Sequence, residues 1–285
     1  MILVAGGTGR LGALVVSRLA ARGLDVRVLT RDPARARHLP GGAIEIVKGD
    51  VRDRESIERV MPAVTTVVSA VQGFAGPGRV SPASVDRDGN ANLVDAAAAA
   101  GADVVLMSVV GASPDSPMAL FRAKYEAEQH LRASGAPWTI VRATAFVELW
   151  AEIMAKPIVF GRGDNPINFV SVVDVAAVVE RAVVDVSLRG QILEVGGPQN
   201  LTFNELAARL DDVHGRSRKI RHVPRSMLRA LALVARQPRA ALTMDTTDMA
   251  FDATSPIADL PMTDLPMTDL RTAISQTAGE PDRSA

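Results

Sequence analysis

The stretch Ala5-Gly6-Gly7-Thr8-Gly9-Arg10-Leu11-Gly12 decides the fold of this chain. It follows a short apolar run, Ile2–Ala5, and precedes an apolar helical pattern, Ala13–Ala21. Its glycines satisfy the spacing G-x-x-G-x-x-G, and the later ones also satisfy G-x-G-x-x-G. A glycine-rich turn between a buried strand and a helix is typical of the first βα unit of a parallel sheet.

This turn predicts a binding site for a dinucleotide. Glycine lets the backbone approach a pyrophosphate closely, and the start of the helix offers unpaired N–H groups and about half a positive charge. The alternative is a turn that binds nothing, which the strand before it and the helix after it disfavour. The residues predicted to contact the phosphates are Gly6, Gly7, Thr8, Gly9, Arg10, Leu11 and Gly12.

The first half of the chain alternates β-branched runs with helical patterns. The predicted strands are Ile2–Ala5, Val26–Thr30, Ile44–Lys48, Thr66–Ser69, Val104–Ser108 and Thr139–Arg142. The predicted helices are Ala13–Ala21, Pro33–His38, Asp53–Val60, Asp86–Ala100 and Ala119–Ala133. Alternation of this kind indicates an α/β protein with a Rossmann-type, doubly wound parallel sheet.

The second half is less regular, with helices predicted over Asp174–Val183 and Asn204–Val213 and a strand over Ile192–Val195. No linker separates the halves. We therefore expect one NAD(P)-binding domain over residues 1–255, whose elements from about residue 145 form a small C-terminal substrate lobe. Residues 256–285 are expected to form a turn-rich acidic tail, in which Leu-Pro-Met-Thr-Asp occurs twice in succession.

The composition excludes several classes of protein. The formal net charge is zero, which gives no field that would favour nucleic acid. There are no cysteines and only four histidines without metal-site spacing, so neither disulfides nor a metal site is expected. No apolar run reaches membrane-spanning length, and the apolar start of the chain is too short for a signal peptide. We expect a cytoplasmic protein of undetermined oligomeric state.

The end of the second predicted strand discriminates between cofactors. Arg31 stands where an arginine accommodates the 2′-phosphate of NADP, and this favours NADP. Asp32 leaves NAD open, because a carboxylate there accepts hydrogen bonds from a ribose hydroxyl. Its alternative role is to cap the helix that begins at Pro33.

At this point the sequence resembles the short-chain dehydrogenase/reductase superfamily, in its atypical NmrA-like branch. The resemblance covers roughly Met1 to Gly197 and rests on Gly6–Gly12, Thr30-Arg31, Gly49-Asp50-Val51, Asp86–Ala97, Lys124–Arg142 and Asn168–Ala176. It implies that Asp50 and Val51 lie beside the adenine. It also implies that Ser69, Ala70 and Val71 pass under the riboses of the cofactor.

One departure from the superfamily bears on catalysis. Reductases of its main branch use Tyr-x-x-x-Lys, in which the phenol donates a proton. Lys124 matches the lysine, but Leu120 occupies the tyrosine position and cannot transfer a proton. Tyr125 points about 100° around the helix from Lys124 and does not substitute. By the resemblance Lys124 contacts the ribose or nicotinamide, and its alternative is a solvated lysine paired with Glu128.

Other polar and aromatic residues have two interpretations each. Ser108 is predicted either to bind the substrate or the nicotinamide carboxamide, or to cap its strand. Three phenylalanines, Phe146, Phe160 and Phe169, either line a pocket or belong to the core. Asp174 is expected to be a structural carboxylate at the start of a helix.

Three functional hypotheses follow. The first is an NADPH-dependent oxidoreductase, with Lys124 and Ser108 as its catalytic candidates, that reduces a quinone-like or other small carbonyl acceptor. The second is a non-catalytic NADP(H)-binding sensor or regulator. The third is peripheral membrane contact through the basic and apolar stretch Pro224–Arg236, which requires Leu228, Leu231 and Val234 to be exposed. A lobe helix balanced by the acidic tail is the preferred interpretation of that stretch.

Overall fold

A computed structural model describes residues 1–41, 44–74, 80–233, 236–252 and 267–277. The strands are β1 (Ile2–Ala5), β2 (Val26–Thr30), β3 (Ile44–Lys48), β4 (Thr66–Ser69), β5 (Asp103–Val109), β6 (Trp138–Ala143), β7 (Ala145–Phe146), β8 (Ile158–Phe160), β9 (Ile167–Val170), β10 (Gln191–Val195), β11 (Asn200–Leu201) and β12 (Arg221–Val223). The helices are α1 (Arg10–Ala21), α2 (Arg54–Glu58), α3 (Asp88–Ala100), α4 (Ala119–Ala133), α5 (Val147–Ile153), α6 (Val172–Val184), α7 (Phe203–Val213), α8 (Arg225–Leu231), α9 (Arg236–Met244) and α10 (Leu270–Thr277).

The main sheet has seven strands in the order β10-β6-β5-β4-β1-β2-β3, and the pairs from β6 to β3 are parallel. Strand order reverses between β1 and β4, where the chain turns from one half of the sheet to the other. Ligands of doubly wound sheets bind at the carboxyl ends of the strands beside such a reversal. The glycine-rich turn follows β1, so the fold places it at this position.

Apolar side chains from the sheet and from α3 and α4 form the core of the first compact unit, residues 1–143 and 175–194. Helices on both faces leave β1, β2, β4 and β5 almost fully buried, which explains their nearly continuous apolar sequences, whereas β3 at the sheet edge is largely exposed. Fully buried members of this core include Leu3, Ile57, Val67, Leu93, Leu106, Leu131 and Ile140.

The second compact unit contains residues 144–174, 195–252 and 267–277. Its strands form two small sheets, one in the order β11-β9-β7 and one that pairs β12 with β8. Phe169 on β9 is 2% exposed, and its ring lies 6.1 Å from that of Phe203. Phe169 therefore belongs to the core of this unit, whereas Phe160 is exposed.

The structure changes several predicted helices. Pro33–His38 is a short 3-10 turn over Pro33–Ala36, and the helix predicted from Asp53 covers only α2. The helix predicted from Asp86 begins at Asp88, because a wider π-helical turn, Pro82–Arg87, precedes it. In the tail predicted to be turn-rich, α10 forms and buries Ala273 and Ile274. Residues 256–266 and 278–285 of that tail lie outside the described residues.

The stretch considered for membrane contact does not present the expected face. Leu228 is buried at 1% exposure, Leu231 is exposed, and Val234 lies outside the described residues. Membrane contact required Leu228 to be exposed, and that requirement is not met because α8 turns this side chain into the second unit. Among the described residues, no helix combines the length and apolarity needed to cross a membrane.

Candidate cofactor site

The turn after β1 requires glycine for steric reasons. Gly6 has φ +84°, and a Cβ there would lie 2.7 Å from the carbonyl oxygen of Ala70. A Cβ on Gly12 would overlap the carbonyl oxygen of Gly6. The amide of Gly9 donates to that same oxygen at 2.9 Å and closes the turn. The glycines therefore bring α1, β1 and the end of β4 within backbone contact.

The start of α1 is arranged to receive an anion. Gly9 is the N-cap, no side chain caps the helix, and its first turn contains no acidic residue. Helix N-termini of this kind carry a partial positive charge and N–H groups that point outward. The pyrophosphate of a dinucleotide fits this position by charge and by hydrogen bonding.

Arg31 and Asp32 follow β2 and differ in role. Arg31 is exposed, as a contact to a 2′-phosphate requires. Oδ1 of Asp32 accepts a hydrogen bond from the amide of Ala34 at 3.0 Å and caps the 3-10 turn. This confirms the capping interpretation of Asp32. Thr30, at the end of the strand, lies 3.4 Å from Thr8, Oγ1 to Oγ1.

Asp50 follows β3 and is held by a guanidinium. Nη2 of Arg52 lies 2.6 Å from Oδ2 of Asp50, and Nε lies 3.0 Å from Oδ1. These hydrogen bonds, with a smaller charge contribution from Arg31, hold the pKa of the Asp50 carboxyl below its ordinary value, although partial burial opposes them. Val51 is buried, and its carbonyl oxygen accepts from Nδ2 of Asn92 at 3.0 Å. Asp50 is thus an ionised, partly exposed acceptor beside a buried apolar residue.

The end of β4 is tied to a buried polar network. The hydroxyl of Ser69 donates to Oδ1 of Asn90, and Nδ2 of Asn90 donates to the carbonyl oxygen of Asp86 at 2.7 Å. Oδ2 of Asp86 accepts from the amide of Gly73 at 2.7 Å. Both Asp86 and Asn90 are 0% exposed. These hydrogen bonds to Asn90 and Asp86 therefore hold the backbone that is predicted to pass under the riboses.

Lys124 joins the same network. It is 4% exposed, and its Nζ lies 3.0 Å from Oδ1 of Asp86, as an ion pair whose angles lie outside those of a hydrogen bond. Nζ also donates to the carbonyl oxygens of Val71 at 3.1 Å and Met107 at 3.0 Å. The alternative of a solvated lysine paired with Glu128 is wrong, because this face of α4 is buried against the sheet.

Ser108, at the end of β5, belongs to a second buried network. Its hydroxyl donates to Oε1 of Glu128, which is 0% exposed. Oε2 of Glu128 lies 2.6 Å from Nη2 of Arg142, whose Nη1 lies 3.2 Å from Oε1 of Glu194. The hydrogen bond to Glu128 raises the pKa of Arg142 above its ordinary value, although burial opposes it. The hydroxyl hydrogen of Ser108 is thus already committed to a carboxylate.

No phenol takes the place of the missing catalytic tyrosine. Leu120, at the tyrosine position, is 8% exposed and packs in the core. Tyr125 is the only tyrosine in the chain and lies half-buried on another side of α4. This helix therefore supplies no phenolic proton donor at the expected position.

Sequence reasoning missed the residues that support the site. Asp86, Asn90 and Glu128 are buried polar residues on helical or near-helical stretches, where a polar side chain ordinarily suggests a solvated face. The one available signal was that Asp86 and Asn90 lie inside a stretch shared with the NmrA-like branch. In the second unit, Asp174 lies in the first turn of α6 as expected, and it also accepts hydrogen bonds from the amide and hydroxyl of Thr268.

Comparisons with known proteins agree with this geometry. Residues 6–185 match the model of a family described as NAD(P)H-binding. An NAD(P)H azoreductase of Xenophilus azovorans is 32% identical over 85% of this chain and 80% of its own. A (4-alkanoyl-5-oxo-2,5-dihydrofuran-3-yl)methyl phosphate reductase of Streptomyces griseus is 34% identical over 84% of this chain and 82% of its own.

The fold is shared with a solved reductase. The NADPH complex of the quinone oxidoreductase QOR2 from Escherichia coli superposes with a TM-score of 0.78, at 22% identity, over 97% of this chain and 99% of that one. The strand order, the glycine turn and the family match agree with one another. The chain therefore belongs to the NAD(P)H-binding family, in the NmrA-like branch of the atypical short-chain dehydrogenases/reductases.

Proposed function

We propose that this protein is an NADPH-dependent oxidoreductase whose acceptor is a small conjugated molecule, with a quinone as the model substrate. Two relatives above 30% identity are named as reductases, one of them for azo compounds. A quinone, an azo group and an unsaturated lactone are all electron-poor conjugated systems. Such acceptors take a hydride without first being protonated.

The buried Leu120 at the tyrosine position carries this proposal. A ketone becomes a strongly basic alkoxide on reduction and benefits from an adjacent acid. A quinone that receives a hydride becomes a stabilised phenolate, which water protonates to the hydroquinone. The hydride brings both electrons, NADPH becomes NADP⁺, and the protein mainly holds the two reactants in contact.

We assign the cofactor contacts to residues at the carboxyl edge of the sheet. The residues proposed to bind NADPH are Gly6, Gly7, Thr8, Gly9, Arg10, Leu11, Gly12, Arg31, Asp50, Val51, Ser69, Ala70 and Val71. The exposed guanidinium of Arg31 supports NADP over NAD, since it can pair with the 2′-phosphate. By the resemblance, Lys124 and Ser108, the two catalytic candidates, are proposed to lie near the nicotinamide end of the site, and their direct contact with the cofactor is a separate question. We also propose a cytoplasmic location and an acceptor-binding role for the chain from about residue 145.

The burial of Lys124 and Ser108 against protein partners favours one alternative function, a cofactor-binding sensor without turnover. Both polar groups are buried and engaged by protein partners, Asp86 and Glu128 respectively. A site that presents no side-chain acid to an acceptor can bind NADPH and report the redox state by a change at a partner surface. This alternative needs the cofactor contacts but no acceptor.

Titration with NADPH and NADH, followed by oxidation assays, tests both functions. Fluorescence of the bound nicotinamide gives the two dissociation constants. NADPH oxidation is then followed with a series of quinones and with a simple ketone as the control acceptor. The reductase is supported by quinone-dependent oxidation with little turnover of the ketone. Tight NADPH binding without oxidation by any acceptor would overturn it and leave the sensor.

A further inference from the structure

One buried ion pair holds a short piece of backbone from both sides. We call residues 71–73 the strand-end segment, because they follow β4 directly. Nζ of Lys124 donates to the carbonyl oxygen of Val71, and Oδ2 of Asp86 accepts from the amide of Gly73. The two charged groups lie 3.0 Å apart. The strand-end segment is thus hydrogen-bonded at both ends, through its first carbonyl oxygen to Lys124 and through its last N–H to Asp86.

The ammonium of Lys124 is surrounded by protein acceptors. Besides Val71, it donates to the carbonyl oxygen of Met107 on β5, so it bridges the carboxyl ends of two neighbouring strands. A lysine has three N–H donors, and two carbonyl oxygens and one carboxylate oxygen lie within 3.1 Å of this one. All three N–H groups of Lys124 therefore have a protein acceptor close by, beside the carboxyl ends of β4 and β5.

The strand-end segment has little freedom to adapt. A Cβ on Gly73 would overlap the carbonyl oxygen of Ser81, so the backbone already lies against the turn before α3. Ser69, two residues before the segment, is anchored through Asn90 to the carbonyl oxygen of Asp86. Removal of either charge would leave the other buried and unpaired, which costs more than the loss of an exposed ion pair.

We propose that Lys124 and Asp86 are positioning residues that fix the strand-end segment for the cofactor, and that Lys124 acts through this backbone without touching the cofactor. This inference rests on the proposed function, in which Ser69, Ala70 and Val71 pass under the riboses of the cofactor. It assigns Asp86 a role equal to that of Lys124. It also explains how a chain without the catalytic tyrosine uses the lysine of that motif.

The first test uses the cofactor-free protein. Lys124→Met and Asp86→Asn are compared by amide hydrogen exchange, with Asp88→Asn as the matched control, since Asp88 is an exposed carboxylate paired with Arg87. We expect exchange in residues 69–74 to accelerate about tenfold in both variants and not in the control. Acceleration spread over the whole unit would indicate general loss of stability and would overturn the proposal.

The second test measures the cofactor in the same variants. Both single variants should weaken NADPH binding by a similar factor, about tenfold, and shift the emission of bound NADPH alike. The double variant Lys124→Met with Asp86→Asn should bind NADPH no more weakly than the single variant with the lower affinity, because both substitutions release the same segment. Direct contact instead predicts that Lys124→Met alone disrupts binding, with unchanged exchange in residues 69–74, and this result would refute the inference.

A double variant guards against failure to fold. Asp86→Leu with Lys124→Met replaces the ion pair by apolar side chains, a change that buried pairs often tolerate. It should keep the wild-type melting behaviour while residues 69–74 exchange faster and NADPH binds about tenfold more weakly. Wild-type exchange and binding in this folded variant would refute the inference. Absence of NADPH binding to the wild-type protein would contradict the proposed function and leave the exchange result standing.

Discussion

Glu128 and Arg142 form a bidentate ion pair beneath the end of β5. Oε2 of Glu128 lies 2.6 Å from Nη2 of Arg142, and Nε of Arg142 donates to Oε1 at 3.0 Å. The carboxylate is almost completely buried, whereas the guanidinium is 19% exposed. The pair connects α4 to β6 and leaves Glu128 as the acceptor for Ser108. Its geometry is that of the stronger class of charged hydrogen bonds.

Glu128→Ala should therefore destabilise the protein by about 3 kcal/mol, because Arg142 loses its buried partner. Glu128→Gln, which keeps the shape and one acceptor, should cost less. The free energy of unfolding in urea measures both changes. Glu126→Ala is the control, since this side chain is half exposed and lies 3.6 Å from Arg87. An equal loss of unfolding free energy in Glu126→Ala and Glu128→Ala would show that the buried ion pair stabilises the protein no more than an exposed one.

The parallel sheet was predictable from sequence because its central strands are buried on both faces. Such strands are short runs rich in β-branched residues, and all seven strands of the main sheet were located to within one residue at each end. The strands of the second unit are two to four residues long. A strand that short shows no recognisable period, so β7, β8, β9, β11 and β12 could not be predicted from their sequences.

The buried networks were not predictable for a different reason. Lys124 and Glu128 stand one helical turn apart, which on an exposed helix indicates a mutual ion pair. In the fold this face of α4 turns inward, and each residue finds a partner far away in sequence, Asp86 and Arg142 respectively. Only the packing of α4 against the sheet determines these partners.

Arg31→Ala should weaken NADPH binding by about ten- to a hundredfold, the equivalent of one or two charged hydrogen bonds. NADH has no 2′-phosphate, so its binding should change little. Fluorescence titration of both nucleotides gives the ratio. Arg54→Ala is the control, because Arg54 is exposed and paired with Glu58. Equal losses for NADPH and NADH would remove the basis for a preference for NADP.

Gly12→Ala should abolish NADPH binding, because its Cβ would overlap the carbonyl oxygen of Gly6 and force the turn away from α1. Gly41→Ala is a matched control, since among the described residues none apart from its chain neighbours has an atom within 4 Å of the Cβ position at Gly41. Titration with NADPH together with circular dichroism separates lost binding from lost folding. A folded Gly12→Ala protein with wild-type affinity would refute the assigned role of the turn.

The pH dependence of stability should contain a contribution from Glu180, which accepts hydrogen bonds from Arg18 of α1 and from Arg22, the residue that follows this helix. Burial alone would raise the pKa of this carboxyl, but the two guanidinium groups outweigh burial and hold it below the ordinary value of 4.5. A carboxyl whose pKa is lower in the folded protein adds stability above its unfolded pKa. That stability is lost as the pH falls through the folded pKa.

Glu180→Gln should therefore destabilise the protein at pH 7, and the difference from wild type should shrink as the pH falls below about 4.5. Unfolding in urea at several pH values measures this difference directly. Glu58→Gln serves as the control, because Glu58 is exposed and its ion pair with Arg54 is screened by water. A difference between Glu180→Gln and wild type that stayed constant on acidification would show that the carboxyl titrates alike in the folded and unfolded chains.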